Sequence, residues 1–322
     1  MIANSGEYRK KNGQRGYVMM NNFIFENKTK VYFGKGGVKE YLGGLLSNSG
    51  ETVMLAYGGG SIKCNGVYDE IMGILNAQGK CVVEFSGIMP NPTYAKVQEG
   101  AKLARENHVD LILAVGGGSV SDCCKVISGA FDTLSHAMET YFGKPDENNL
   151  SDDINEAVMR SVIRNIRILL TDPENYDARS ELARASAMAE NGVLKIGKVT
   201  DFQAHQIEHQ LGAYTDCNHG AGLAVIHPVL YRHIYKSGAA RFARFAQNVW
   251  GIAPKGSDGE TAAGIDALAA FIKEIGLPTS FAELGIPADT DFRAVADSTN
   301  ITAGCCKKLT HDEIYEILQE CL

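Results

Sequence analysis

The sequence predicts an α/β domain built on a doubly wound parallel sheet, followed by an all-helical domain. Two observations predict this fold class. Short apolar runs alternate with helical segments as far as about residue 129, and beyond that point strand patterns disappear while amphipathic helical patterns continue. The length of 322 residues also exceeds the size at which one hydrophobic core stops growing. We therefore expect two domains, at 20–129 and 130–322.

Four apolar runs in the first half have the length and composition of strands. Two longer segments between them, 62–79 and 93–108, carry apolar residues at helical spacing. Alternation of this kind indicates a parallel sheet that binds its ligands at the carboxyl ends of the strands. The predicted strands are KVYFG (30–34), TVMLAY (52–57), KCVVEF (80–85) and DLILAV (110–115).

The second half contains amphipathic helical patterns throughout, and no internal repeat. Proline and glycine mark several breaks between them, as at 251–259 and 275–280. The predicted helices cover 131–141, 151–172, 179–199, 239–252, 259–276 and 310–322.

Composition and charge narrow the class of protein. A formal net charge of −7 argues against a nucleic-acid partner, which would favour a clustered basic face. No apolar run approaches the roughly 18–20 residues that span a bilayer. The eight cysteines include no C-x-x-C pair, which favours reduced thiols in the cytoplasm. The first nineteen residues are polar and basic without an apolar core, so we expect 1–19 to be a disordered extension.

A glycine-rich stretch, GGGSVSD, follows the last predicted strand. Glycines let the backbone approach a ligand closely, and the start of the following helix presents unpaired N–H groups to an anion. A plain glycine turn is the alternative, because the stretch is not the G-x-G-x-x-G fingerprint. Asp122 would either cap the helix or bind the ligand. The candidate cofactor-binding residues here are Gly116, Gly117, Gly118, Ser119 and Asp122.

A second glycine run, AYGGGSIK, follows the strand at 52–57. Folds that prefer NAD place an acidic residue near such a turn to hold the ribose 2′-hydroxyl, and no carboxylate occurs here until Asp69. The run suits a 2′-phosphate better, so NADP(H) is favoured over NAD(H), although Lys63 could equally be a solvated surface residue. The groups it offers belong to Gly58, Gly59, Gly60, Ser61 and Lys63.

Histidines and one aspartate are spaced as metal ligands in the second half. Asp132 and His136 are four residues apart and share a helical face, which by itself usually marks a surface contact. His205 and His209 share another face, and His219 follows a predicted bend. One carboxylate and imidazoles from separate helices would hold a divalent cation with a position left open. Fe²⁺ and Zn²⁺ fit such ligands equally well.

Several segments together resemble the iron-containing (group III) alcohol dehydrogenase family, in particular its butanol-dehydrogenase-like branch. They are GGGSVSD, FDTLSHAMETY and AHQIEHQLGAYTDCNHGAGLA, with PNP at 90–92 and KKLT at 307–310. The resemblance implies hydride transfer between a nicotinamide and a small primary alcohol or aldehyde such as butanol or butyraldehyde, with the metal as a Lewis acid. It also implies a homo-oligomer, such as a dimer.

The resemblance assigns roles to individual residues. It implies four metal ligands, namely Asp132, His136, His205 and His219. His209 resembles a histidine that is not a ligand and carries a proton near the nicotinamide. The stretch from Gly116 to Ser119, with Asp122, resembles the pyrophosphate-binding loop, and Asn91 matches a position beside the cofactor.

The chain departs from the family pattern between about residues 126 and 130. CCKVISGAFDTLSH runs directly from the helix after the glycine loop to the predicted metal-bearing helix, whereas several dozen residues intervene in the family. We therefore predict an internal deletion and an incomplete dinucleotide-binding domain. Two alternatives stay open: a catalytically impaired remnant that binds only metal or nucleotide, and a zinc polyol dehydrogenase of the glycerol-dehydrogenase kind.

Overall fold

A computed structural model of the chain describes residues 26, 30, 32, 34–88, 94–116, 123–144, 148–200, 202–253, 259–301 and 306–322. These residues form two compact units, one within Lys28–Val126 and the other within Ile127–Leu322. The extension predicted at 1–19 lies outside the described residues. No helix in the part of the chain that is described combines the length and apolar character needed to cross a membrane.

The first unit contains a three-stranded parallel sheet in the order β2-β1-β3. Helices connect the strands, as parallel pairing requires. The strands are β1 (Thr52–Tyr57), β2 (Cys81–Phe85) and β3 (Leu111–Val115), and the helices are α1 (Gly37–Leu46), α2 (Ser61–Cys64), α3 (Val67–Ala77) and α4 (Tyr94–Glu106).

Burial explains why β1 is the central strand. Its sequence TVMLAY is apolar at nearly every position, and side chains on both faces are buried. Leu55 packs with Leu46 and Leu75 on one face, whereas Met54 packs with Phe85 on the other. β3 is an outer strand among the described residues. Its exposure alternates along the strand, and Ile112 is 61% exposed.

Three predicted strands are confirmed to within one residue, but two other predictions for this unit are wrong. Residues 30, 32 and 34 belong to no strand, although 30–34 has a strand-like composition. The helix predicted over 62–79 is broken into α2 and α3. Gly66 adopts a φ of 80°, a left-handed conformation that interrupts a helix and that glycine adopts without strain.

The second unit is helical, as predicted. The only β-pairing in its described part is an isolated bridge between Lys144 and Val199. The helices at His219–Ile234 and Phe292–Ser298 are not among the ranges predicted from the sequence patterns. The helices are α5 (Cys123–Tyr141), α6 (Leu150–Thr171), α7 (Tyr176–Glu190), α8 (Gln203–Thr215), α9 (His219–Ile234), α10 (Ala239–Asn248), α11 (Gly259–Glu274), α12 (Phe292–Ser298) and α13 (His311–Glu320).

A buried group of charges fixes the carboxyl end of α5. Asp152 is completely buried, forms an ion pair with Lys198, and lies 2.9 Å from a guanidinium nitrogen of Arg241. Lys198 and Arg241 also donate hydrogen bonds to the carbonyl oxygen of Tyr141, at 3.0 and 2.9 Å. Each buried charge therefore has a partner of opposite sign, which burial in a low-dielectric interior requires.

Candidate metal centre

Two turns of α5 and the amino ends of α8 and α9 position the predicted ligands. Asp132 and His136 lie one turn apart on α5, His205 lies in the first turn of α8, and His219 is the first residue of α9. The bend predicted before His219 is present, since Asp216 ends α8 with a φ of 53°. The Asn218 side chain then accepts the N–H of Ala221 at 3.0 Å and starts α9.

Glu139 of α5 organises the start of α8. The N-cap residue of α8, Phe202, makes no side-chain capping bond. Instead the Glu139 carboxylate accepts the backbone N–H of Ala204 at 2.6 Å and of His205 at 3.2 Å. A carboxylate at a helix amino end is stabilised by these free N–H groups and by the helix dipole. This contact holds α8 against α5, on which Asp132 and His136 lie.

The start of α9 lies unusually close to α5. A Cβ atom at Gly220 would lie 2.1 Å from the carbonyl oxygen of Ser128, a distance that no side chain can tolerate. Glycine therefore permits the close approach that brings His219 next to Asp132.

Three imidazole nitrogens converge on one oxygen of Asp132. Oδ1 of Asp132 lies 3.3 Å from Nε2 of His205, 3.5 Å from Nε2 of His219 and 3.6 Å from Nε2 of His136. Ligands about 2.1 Å from a tetrahedral cation lie roughly 3.4 Å from one another. Each of these separations from Asp132 therefore matches the distance between two donors on one ion.

The ligand atoms of the four predicted ligands are not equally close to one another. The ligand atoms of Asp132, His205 and His219 all lie within 4.8 Å of one another, and His136 is not a member of this set. Nε2 of His136 instead lies 3.0 Å from Oε1 of Glu190, at the end of α7. The structure thus brings three of the predicted ligands into one cluster and places His136 at its edge.

Two buried glutamates orient two of the imidazole rings. Nδ1 of His205 contacts Oε2 of Glu139, and Nδ1 of His219 contacts Oε2 of Glu208. Each contact occupies Nδ1 and leaves Nε2 directed at Asp132. A carboxylate behind a metal-binding imidazole fixes its orientation and raises its basicity. The Nδ1 atom of His136 is buried and has no hydrogen-bond partner among the described residues.

In the absence of a bound cation, the surrounding carboxylates favour the protonated forms of His205 and His219. Burial acts to lower the pKa of His205, but hydrogen bonds to Asp132 and Glu139 raise it to about 9. The pKa of His219 is raised to about 10, since bonds to Asp132 and Glu208 outweigh its burial. Burial and the charge of His205 lower the pKa of His136 to about 4. Although burial acts in the other direction, bonds from His205 and His219 hold the pKa of Asp132 well below its usual range.

His209 lies beside the cluster. Its ring stacks on that of His219 with centroids 5.2 Å apart and lies 5.9 Å from that of His205. Partial burial and the nearby charge of His219 lower its pKa, so the imidazole is neutral at pH 7. A second set of ligand atoms, from Glu208, His209 and His219, also lies within 4.8 Å. Because Glu208 already occupies Nδ1 of His219, we assign it to support that ring.

The predicted cofactor residues are placed only in part. Gly58, Gly59 and Gly60 follow β1 directly, and Gly116 follows β3. The ends of these strands are neighbours, since Tyr57 pairs with Val115, so both glycine runs begin at the same edge of the sheet. Ser61 is the first residue of α2. The predicted residues Asn91, Gly117, Gly118, Ser119 and Asp122 lie outside the described residues.

A carboxylate contacts two residues that flank the glycine run at 58–60, although the sequence has no carboxylate between that run and Asp69. Glu84 of β2 lies 3.6 Å from Nζ of Lys63 and accepts hydrogen bonds from the hydroxyls of Tyr57 and Tyr68. Nothing in the residues that follow β1 in sequence points to Glu84. The carboxylate belongs to the neighbouring strand.

Comparison with known proteins identifies the class to which this fold and site belong. Residues 28–157 match the family model for iron-containing alcohol dehydrogenases, and residues 126–322 match the model for the C-terminal part of the Fe-containing alcohol dehydrogenase family. The chain therefore belongs to the iron-containing alcohol dehydrogenase family. The predicted resemblance and the NAD(P)-dependent alcohol dehydrogenase class are confirmed.

Individual relatives agree with this assignment. A probable NADH-dependent butanol dehydrogenase of Bacillus subtilis is 31% identical, over 94% of this chain and 100% of the relative. An NADPH-dependent aldehyde reductase of Escherichia coli is 26% identical, over 83% of this chain and 90% of the relative. The crystal structure of NADH-dependent butanol dehydrogenase A from Thermotoga maritima has a TM-score of 0.87 and 27% identity, and the match covers 94% of this chain and 99% of that one.

The comparison also bears on the shortened region. The alignment with the Bacillus subtilis protein extends over 392 positions, whereas this chain has 322 residues, so at least 70 of those positions have no residue here. Among the described residues, 123–141 form the single helix α5, which contains the join predicted between 126 and 130. The position of the join stays a prediction.

Proposed function

We propose that the chain is a metal-dependent, NADP(H)-linked alcohol and aldehyde oxidoreductase. It would transfer a hydride between the nicotinamide and a small primary alcohol or aldehyde such as butanol or butyraldehyde. The cation, Fe²⁺ or Zn²⁺, would be held by Asp132, His136, His205 and His219. One observation carries this proposal: the Nε2 atoms of three histidines from three helices approach the same oxygen of Asp132 at 3.3–3.6 Å.

The donor set has the chemistry that such a cation needs. Imidazole nitrogens and a carboxylate suit both Fe²⁺ and Zn²⁺, and a bound cation of this kind polarises a carbonyl oxygen as a Lewis acid. Glu139 and Glu208 keep the His205 and His219 rings in place. His209 is adjacent to His219, and in this proposal its neutral ring would accept a proton from solvent at one nitrogen while the other nitrogen donates its proton to the substrate oxygen.

The choice of NADP(H) depends on the edge of the sheet after β1. Gly58, Gly59 and Gly60 leave room for a phosphate, and Lys63 supplies a positive charge. Glu84 partly offsets that charge, so the preference over NAD(H) is smaller than the sequence alone indicates. The relatives include both kinds, since the Bacillus subtilis protein is named NADH-dependent and the Escherichia coli protein NADPH-dependent.

The impaired-remnant alternative has an observation of its own. At least 70 aligned positions of a relative have no residue in this chain. Misplacing reacting groups by about 1 Å can lower a rate on the order of a hundredfold. A chain that keeps its metal ligands but lacks part of its dinucleotide-binding domain would bind the cation and would not oxidise or reduce a substrate.

An anaerobic assay separates the two proposals. The protein is loaded with Fe²⁺ or Zn²⁺, and the absorbance of NADPH or NADH is followed with butyraldehyde as substrate. We expect NADPH oxidation that falls to background in His205→Ala. A matched control is His233→Ala, because His233 lies outside the cluster and contacts Glu320 at 3.1 Å. Metal binding without turnover in the parent protein would support the remnant and contradict the enzyme.

A further inference from the structure

Glu190 is a charged residue at the cluster that is not among the four predicted ligands. It is the last residue of α7, and its Oε1 lies 3.0 Å from Nε2 of His136. The same nitrogen lies 3.6 Å from Oδ1 of Asp132. Glu190 therefore approaches His136 at the atom that would bind the cation.

This placement differs from that of the other two glutamates at the centre. Glu139 and Glu208 contact Nδ1 of their histidines, on the side of the ring that faces away from Asp132. Those positions orient a ring without competing for the cation. Glu190 meets Nε2 instead, and an Nε2 that binds a cation has no proton to donate to a carboxylate. The contact between Glu190 and His136 must therefore change when the site is loaded.

The observed distance fits a shared ion. Two ligands about 2.1 Å from one cation and at right angles to each other lie roughly 3.0 Å apart. Oε1 of Glu190 and Nε2 of His136 are 3.0 Å apart. A cation placed between them would replace this contact with two coordinate bonds and would leave both of these side chains near their present positions.

The local helix gives no reason for an acidic residue at this point. A carboxylate at the carboxyl end of a helix is repelled by the helix dipole, and α7 has no basic residue in its last turn to offset that repulsion. Asp132, a second carboxylate, faces the same histidine. A dication at the centre would offset both repulsions.

We propose that Glu190 is a fifth ligand of the cation, so that three imidazoles and two carboxylates form the complete donor set. This inference rests on the metal centre of the proposed function. Two carboxylates neutralise a dication. Five donors favour Fe²⁺ over Zn²⁺, because Zn²⁺ prefers four-coordinate geometry. Glu190 is 52% exposed, more than any of the four other side chains, so among the five donors it would be the one most accessible to a substrate.

Cobalt(II) provides a test that does not depend on activity. Its affinity is measured by competition with a chromophoric chelator, and its visible absorption reports coordination number, since four-coordinate Co²⁺ absorbs more strongly than five-coordinate Co²⁺. We expect Glu190→Ala and Glu190→Gln to weaken Co²⁺ binding at least ~10-fold and to intensify the visible bands. Glu181→Gln is the matched control, because Glu181 lies on the same helix and pairs with Arg184.

A further variant separates failure of this inference from failure of the metal centre itself. If His205→Ala loses Co²⁺ while both Glu190 variants keep the parental affinity and spectrum, Glu190 is not a ligand and the proposed centre stands. If the parent protein binds no Co²⁺, or if His205→Ala binds it equally well, the centre and the fifth ligand are both refuted.

Discussion

At the residue scale, Glu139 has two functions in a single carboxylate. It accepts the N–H groups of Ala204 and His205 at the start of α8, and it also contacts Nδ1 of His205. Glu208 has only the second function, toward Nδ1 of His219. The two glutamates are therefore a natural pair for separating metal binding from helix stability.

We expect Glu139→Gln and Glu208→Gln each to weaken metal binding by about 10–100-fold, since each loses a charged partner behind a ligand. Glu139→Gln should also lower the free energy of unfolding of the metal-free protein by about 1–3 kcal/mol more than Glu208→Gln, because it weakens hydrogen bonds to a helix amino end. Chelator competition and urea titration measure the two effects. Equal unfolding free energies for both variants would contradict the capping role.

The raised pKa values of His205 and His219 predict proton release on metal binding. With pKa values of about 9 and 10, both imidazoles are protonated at pH 7.5, and both must be neutral to bind a cation. Loading at pH 7.5 should therefore release about two protons, and affinity should rise with pH until both histidines are neutral. Calorimetry in buffers of different ionisation enthalpy counts the protons, and His219→Ala should remove about one. Release close to zero would show that the two rings are neutral before binding.

At the element scale, the centre depends on one face of α5. Asp132, His136 and Glu139 follow one another at spacings of four and three residues, which aligns them along a single side of the helix. The carbonyl oxygen of Tyr141, at the end of the same helix, accepts hydrogen bonds from Lys198 and Arg241. Asp152 contacts both of these bases through its one carboxylate, so it stabilises the end of α5 without touching the metal centre.

Asp152→Asn should lower the free energy of unfolding by about 3–5 kcal/mol, because it removes the negative charge that the buried Lys198 and Arg241 side chains both contact. Asp153→Asn is the matched control, because the Asp153 side chain is 63% exposed and pairs with Arg244 at 2.6 Å, so its loss should cost at most ~1 kcal/mol. Urea unfolding of the metal-free protein measures both. Similar losses in the two variants would show that the Asp152 network contributes no more than a surface pair.

Several elements could be predicted from sequence because their signals are local. The apolar run TVMLAY is continuous, and β1 covers it fully. The spacing of His205, His209 and His219 likewise pointed to one centre. Glu139 and Glu208 lie at helical spacing from His136 and His205, so a search of the same faces would have found them. Glu190 could not be found in this way, because only the packing of α7 brings it to the centre.

At the scale of the whole molecule, the sequence patterns predicted more of the helical unit than of the unit that contains the sheet. In the helical unit the structure brings Asp132, His205 and His219 together and leaves His136 at the edge of that cluster, and residues 126–322 match the C-terminal family model. In the nucleotide unit the break at Gly66 and the carboxylate of Glu84 were missed, since the first depends on a backbone conformation and the second on pairing between strands. The break at Gly66 and the position of Glu84 can be recognised only in the three-dimensional structure.

The order β2-β1-β3 has an evolutionary consequence. Because β1 has a neighbour on each side, the buried centre of this sheet is complete with the strands described, and β3, with Ile112 exposed, forms one margin of it. The pairing of β1 with β2 and with β3 does not depend on chain beyond the outer side of β3. A deletion on the outer side of β3 would therefore leave the pairing of the three remaining strands intact.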